Sequence, residues 1–167
     1  MTRLSALWQR NVIGAVVVAC AVGAFVVIDF GPQWSAYRNS LTPRLVVPDG
    51  QSGTADGQTW RLESIKHLNR SPLNFGPPLP PGTVLTVVVV DLSGPPRPGY
   101  CTAMLTDGER RWESEGVGGF SPLPRDGVRN LCDKPGRVQF GFVLPSDVVP
   151  TAMDVIDNGQ ITVRMLL

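Results

Sequence analysis

From Val12 to Ile28 the chain reads VIGAVVVACAVGAFVVI, 17 residues without a charge. Few arrangements tolerate such a segment: it must be buried in a protein or in a bilayer. At about 1.5 Å per residue a helix of this length spans about 26 Å, enough for a thin or locally adjusted membrane. Trp8 precedes the run, and Phe30, Trp34 and Tyr37 follow it, where interfacial aromatics belong. Arg3, Arg10 and the amino terminus stand before it and Asp29 directly after, so positive-inside logic leaves residues 1–11 in the cytoplasm. The expectation is an uncleaved signal anchor at 12–28, a juxtamembrane tether at 29–43 and an extracytoplasmic domain at 44–167, in a single-pass cell-membrane protein.

Two alternatives compete for the same segment. A cleaved signal peptide would want an A-x-A site, and Asp29-Phe30-Gly31-Pro32 does not supply one. A lipoprotein would use Val17-Val18-Ala19-Cys20 as a lipobox and modify Cys20, yet the chain stays apolar for eight residues beyond that cysteine. Ala15, Ala19 and Gly23 recur every four residues and offer a small-residue stripe for helix-mediated self-association.

Composition narrows the remainder. The 167 residues leave room for one core-bearing domain beside the apolar segment. A net charge of +1 with 17% charged residues gives no nucleic-acid-binding surface. Eighteen glycines and 16 prolines accompany 43% hydrophobic residues, so the turn formers punctuate a core rather than signal disorder.

The strand periods are readable. Arg44 to Val47 is a short edge candidate stopped by Pro48. Gln58 to Lys66 alternates, with Trp60 and Leu62 on one face. Val84 to Leu92, VLTVVVVDL, reads as a central strand buried on both faces. Cys101, Ala103 and Leu105 alternate before the Asp107-Gly108 turn, and Val138, Phe140 and Phe142 share a face. Asn158-Gly159 joins 152–157 to 160–167 as a second hairpin. About seven short strands predict an all-β, immunoglobulin-like β-sandwich preceded by one N-terminal transmembrane helix.

Outside the apolar run the cysteines number two, Cys101 and Cys132, an even pair that predicts a disulfide. Such a bond persists in an oxidising compartment, in agreement with export. Two cysteines and the single histidine, His67, make no tetrahedral metal set, and no cofactor motif occurs. Neither G-x-S-x-G nor S-x-x-K is present. The expectation is a protein that is not an enzyme; an enzymatic alternative needs His67, Glu113 or Asp154 to converge in one cleft.

Two loops stand out as partner-binding candidates. The stretch 69–82 holds Phe75, Pro77, Pro78 and Leu79 in a polyproline run that is extended before it binds. The stretch 114–136 carries Val117, Phe120 and Leu123 among glycines and prolines, and loops of that length in a compact domain usually carry function.

Several motifs together have a family look: Gly57-Gln58-Thr59-Trp60-Arg61-Leu62, the Val-rich strand after a Pro-Gly turn, Leu105-Thr106-Asp107-Gly108 with Trp112, and Pro135-Gly136-Arg137 leading to Phe140-Gly141-Phe142-Val143-Leu144-Pro145. The region 48–167 resembles the telokin-like, immunoglobulin-fold extracellular domains of actinobacterial (mycobacterial-type) envelope proteins. Asp91 stands where that family's strand usually ends in Asn, and the cysteine pair is not general there. The resemblance implies a sandwich outside the membrane and brings no catalytic residues. Presentation of that sandwich to another envelope protein is the function expected. A small apolar or lipid ligand held between the sheets, against Val88, Val90, Phe140 and Phe142, is the alternative.

Overall fold

The computed structural model describes residues 2–70, 78–96, 101–116, 120–124 and 127–167, with side chains from Trp8 onward. The chain divides into two compact units, residues 1–39 and 40–167.

The first unit is helical. Helix α1 runs Thr2–Phe25, a π-helical turn covers Val26–Phe30, and α2 continues over Gly31–Leu41. Every described side chain from Trp8 to Asn39 is exposed, the Ala15, Ala19 and Gly23 stripe included. From Trp8 to Leu41 the helix is long and apolar enough to cross a membrane. The stretch expected as a juxtamembrane tether, 29–43, is helical as far as Leu41. Pro32 lies in the first turn of α2, where a missing N–H costs least, and its ring would crowd the Ile28 carbonyl of a regular helix. The wide turn lies across that carbonyl and opens the ladder there.

The second unit is a β-sandwich of two five-stranded sheets. Its strands are β1 (Leu45–Val47), β2 (Ser52–Ala55), β3 (Gln58–Leu68), β4 (Thr83–Ser93), β5 (Cys101–Thr106), β6 (Arg111–Glu113), β7 (Val128–Arg129), β8 (Gly136–Pro145), β9 (Ala152–Asp157) and β10 (Gln160–Leu166). One sheet has the order β1-β10-β9-β5-β6 and the other β2-β3-β4-β8-β7. Both are mixed, because β1 runs parallel to β10 and β7 parallel to β8. The described strands number ten rather than about seven. β6 is the return strand of the Asp107-Gly108 turn, whereas β2 and β7 have no counterpart in the sequence reading, and neither carries an apolar period.

Alternation places the core where the sequence expects it. Trp60, Val88, Val90, Leu92, Ala103, Leu105, Val138 and Phe142 are at most 2% exposed and pack sheet against sheet with Val163 and Met165. Burying one such side chain stabilises by about 1.5–3 kcal/mol before conformational entropy is set against it. Two hairpins close on residues with positive φ: Asp56 (52°) with Gly57 (79°), and Asn158 (50°) with Gly159 (74°). That pattern at both central positions matches the right-handed twist of the flanking strands. The β5–β6 turn is built differently. The Asp107 carboxylate accepts from the N–H groups of Glu109 (3.0 Å) and Arg110 (2.7 Å). The Arg110 bond is the main cause holding the Asp107 pKa below its usual 3.8.

The Cys101 and Cys132 sulfurs sit within bonding distance, their Cα atoms 5.9 Å apart, inside the range a disulfide takes. Cys101 opens β5 of one sheet and Cys132 lies in the turn between β7 and β8 of the other. The pair therefore ties the two sheets together at one end.

Candidate functional site

β4 and β8 form the centre of their sheet, and their inward residues fill the core. The outward residues of β4 are apolar as well: Leu85 is 0% and Val87 6% exposed, with Val89 half-buried. An antiparallel sheet usually gives one face to water, so an apolar second face requires a cover. Part of that cover is a loop. Ser114 N–H donates to the Ala103 carbonyl (2.8 Å) and Glu115 N–H to the Gly141 carbonyl (2.7 Å), which carries the chain from β5 to β8. Beyond it, residues 120–124 lie on the outer face of β8.

Gly141 makes that close approach possible. A Cβ at this position would stand 2.8 Å from Ser121 Oγ and 3.2 Å from Ser121 Cα, so the loop rests on a strand without a side chain. Gln139 Nε2 donates to the Pro122 carbonyl at 2.8 Å and pins the next residue. Among the described residues the cover stops short of the sheet edge. Between loop and edge lies a cleft of about 390 Å³, within the size range of ligand sites. Ser64, Lys66 and Leu68 of β3 and Val87 and Val89 of β4 form its floor. Pro122, Leu123 and Val128 form its wall, and Arg137 and Gln139 one end. Leu123 is 72% exposed, a large apolar side chain presented to solvent beside an apolar cleft.

The charges of the cleft are not equivalent. Arg137 Nε donates to Glu63 Oε2 at 2.6 Å while its Nη2 bonds Glu63 Oε1. That bidentate bond, and the carboxylate charge behind it, raise the Arg137 pKa above its ordinary value. Lys66 has no carboxylate partner among the described residues. The cleft therefore combines an apolar floor with one neutralised and one available cation.

Of the loop residues singled out by sequence, Leu123 lines the cleft and Phe120, half-buried, belongs to the covering loop. Pro78 is exposed and Leu79 half-buried at the entrance to β4. Phe75, Pro77 and Val117 lie outside the described residues. Val88, Val90, Phe140 and Phe142, expected to line a ligand cavity between the sheets, are 0–5% exposed members of the packed core instead. The cleft lies on the opposite side of the same sheet. Sequence reading missed Ser64, Lys66, Val87 and Arg137 altogether. The signal for them was an antiparallel strand apolar on both faces, and its outer neighbours.

The residues an enzyme would need do not gather. Asp154 is fully buried, and Arg164 grips it through Nε–Oδ1 (2.6 Å) and Nη2–Oδ2 (2.7 Å). That grip, chiefly its hydrogen bonds, raises the Arg164 pKa. Glu113 is exposed on the same face, with Met104 of β5 between them in register. His67 belongs to the other sheet, where its Nδ1 meets Thr86 Oγ1 at 2.9 Å. Among the described residues no group of three His, Cys, Asp or Glu side chains is placed to hold a metal ion.

No family model matches this sequence. No curated protein matches it either. Among solved structures it is similar to an uncharacterised β-sandwich protein from Clostridium difficile 630, at 14% identity. That alignment covers 73% of this chain and 93% of the other, with a TM-score of 0.40.

Proposed function

We propose that the chain is a non-enzymatic, membrane-anchored cell-envelope protein whose sandwich, of immunoglobulin-like kind, stands outside the cytoplasm and binds a partner protein. The partner-binding surface is the loop-covered outer face of β3, β4 and β8. One observation carries this reading: Leu123, 72% exposed, lines an apolar cleft on the outer face of β3 and β4. Exposed apolar side chains beside a concave surface mark interaction sites. The apolar helix supports an anchor, and the cysteine pair supports an oxidising compartment. An anchor would also hold the sandwich at high effective concentration beside membrane partners.

The test is a photo-cross-linking residue at position 123 in intact cells, with position 111, on the exposed β6, as control. The expected result is a discrete protein adduct from 123 alone, together with thiol labelling of reduced Cys101 and Cys132 from outside the cell. Adducts equal at both positions, or cysteines labelled only after the membrane is breached, would overturn the reading. A second reading has its own observation, the cleft volume of about 390 Å³. An apolar ligand there, rather than between the sheets, predicts lipid that co-purifies with the protein and is released by Val87→Glu.

A further inference from the structure

We infer that the partner docks by strand addition, an extended, carboxylate-bearing peptide segment pairing with the free edge of β3 at residues 62–68. This deepens the partner-binding reading above and rests on it.

β4 pairs with β3 along nearly its whole length, Thr59 to Leu68. On the other side β2 reaches only from Gln58 to Arg61. Seven residues, 62–68, therefore carry a ladder on one side only, and among the described residues no backbone bond from elsewhere occupies the other. At about 3.3 Å per residue the open edge is about 23 Å long. The terminal edge strands of the sandwich are short: three residues in β1 and β6, four in β2, two in β7. β8 also runs on past β7, over 139–145, but there the Glu115 N–H donates to the Gly141 carbonyl and the 120–124 loop rests on the strand. Short edge strands are one of the ways proteins prevent strangers from pairing. The stretch 62–68 departs from that rule, and it is the stretch that floors the cleft.

Side-chain alternation couples edge and cleft. Ser64, Lys66 and Leu68 all face the cleft, so a strand added beside β3 would set every second side chain about 5 Å from them. Backbone pairing would supply affinity, and the cleft with Leu123 would read those side chains. Charge selects the occupant. Of the cations on this edge and in the cleft, Arg61 is bonded to Asp91 and Arg137 to Glu63, while Lys66 has no ion-pair partner among the described residues. A carboxylate beside Lys66, flanked two residues away by apolar side chains, completes the surface. A second copy pairing edge to edge would bring lysine toward lysine, so the same residue that attracts the segment discourages self-pairing.

The test uses the full chain in lipid nanodiscs and a random library of displayed twelve-residue peptides as probe. The expected selection is peptides alternating apolar residues with one acidic residue, and their binding protects amides within 62–68 from hydrogen exchange. Lys66→Glu, an exposed substitution, weakens those peptides about fivefold or more and shifts selection toward basic ones. N-methylation of alternate backbone amides abolishes binding. Selection indifferent to charge, N-methylated peptides that bind equally, or displacement of the peptides by anionic vesicles overturns strand addition. If cross-links from position 123 persist in that case, the partner surface stands and its mode is wrong. If they too are absent, the reading beneath it falls.

Discussion

Loss of the Cys101–Cys132 bond is the perturbation with the best-defined magnitude. The pair closes a loop spanning a sequence separation of 31. In the chain-entropy model the bond lowers the entropy of the unfolded chain by 2.1 + 1.5R ln 31, about 12 cal/mol/K, or about 3.7 kcal/mol at 25 °C. Replacing both cysteines with alanine adds a packing loss of about 1 kcal/mol, since Cys132 is 6% exposed and its sulfur fills interior space. Urea denaturation of the full chain in detergent, followed by tryptophan fluorescence, separates the two. With a slope of about 2 kcal/mol/M, reductant should lower the midpoint of the wild type by about 2 M, and the double alanine variant should fall slightly further. Cys20→Ala should change nothing, because Cys20 is exposed on α1. The bonded segment also carries the loop that walls the cleft, so reduction should speed amide exchange at residues 120–124. Oxidised and reduced protein unfolding within 0.5 kcal/mol of each other would refute both the pairing and its role in holding the loop.

Gly141→Ala forces a Cβ to within 2.8 Å of Ser121 Oγ and 3.2 Å of its Cα. It should cost about 1–3 kcal/mol and loosen 120–124; an unchanged midpoint and exchange profile would show that the loop does not rest there. Asp154→Ala leaves the Arg164 guanidinium, a quarter exposed, without its buried carboxylate. The expected loss is about 2–3 kcal/mol, with most of it recovered in Asp154→Leu/Arg164→Met; a single variant as stable as wild type would contradict the buried pair. Asp107, whose pKa is lowered from 3.8 in the folded chain, favours folding above that pH and loses this effect as pH falls through the folded value. Amide shifts of Glu109 and Arg110 should titrate with a midpoint below 3.8, and a midpoint at or above it would refute the carboxylate's role in the turn.

Much of the sandwich was legible because its strands obey one period. Trp60, Ala103, Leu105, Phe140, Phe142, Val163 and Met165 all fall on the face that alternation assigns them. β2 was not legible as a strand: Ser52-Gly53-Thr54-Ala55 has no large apolar residue, and pairing with β3 across the Asp56-Gly57 turn defines it. That turn was a signal of the same kind as Asn158-Gly159 and deserved the same weight. β7 is two residues made extended by their parallel partner β8, a tertiary effect with no local pattern. The helical stretch after residue 29 was hidden by Gly31-Pro32, which reads as a break and is absorbed by a π turn.

The cleft has a more instructive origin. Val84–Leu92 reads correctly as apolar on both faces, and Leu85 and Val87 are indeed buried. Sequence alone does not say what covers the second face. In a parallel sheet a crossover helix would do it completely; here the connections are hairpins and a long loop. A loop covers less area than a helix, and this one is tied down at Gly141 and Gln139, on β8, rather than at β3. The uncovered part must therefore fall toward the β3 side, beside the edge that β2 leaves open after Arg61. Candidate site and open edge coincide because both follow from one shortage: among the described residues the second sheet has more apolar outer face, and more β3, than its neighbours are long enough to cover.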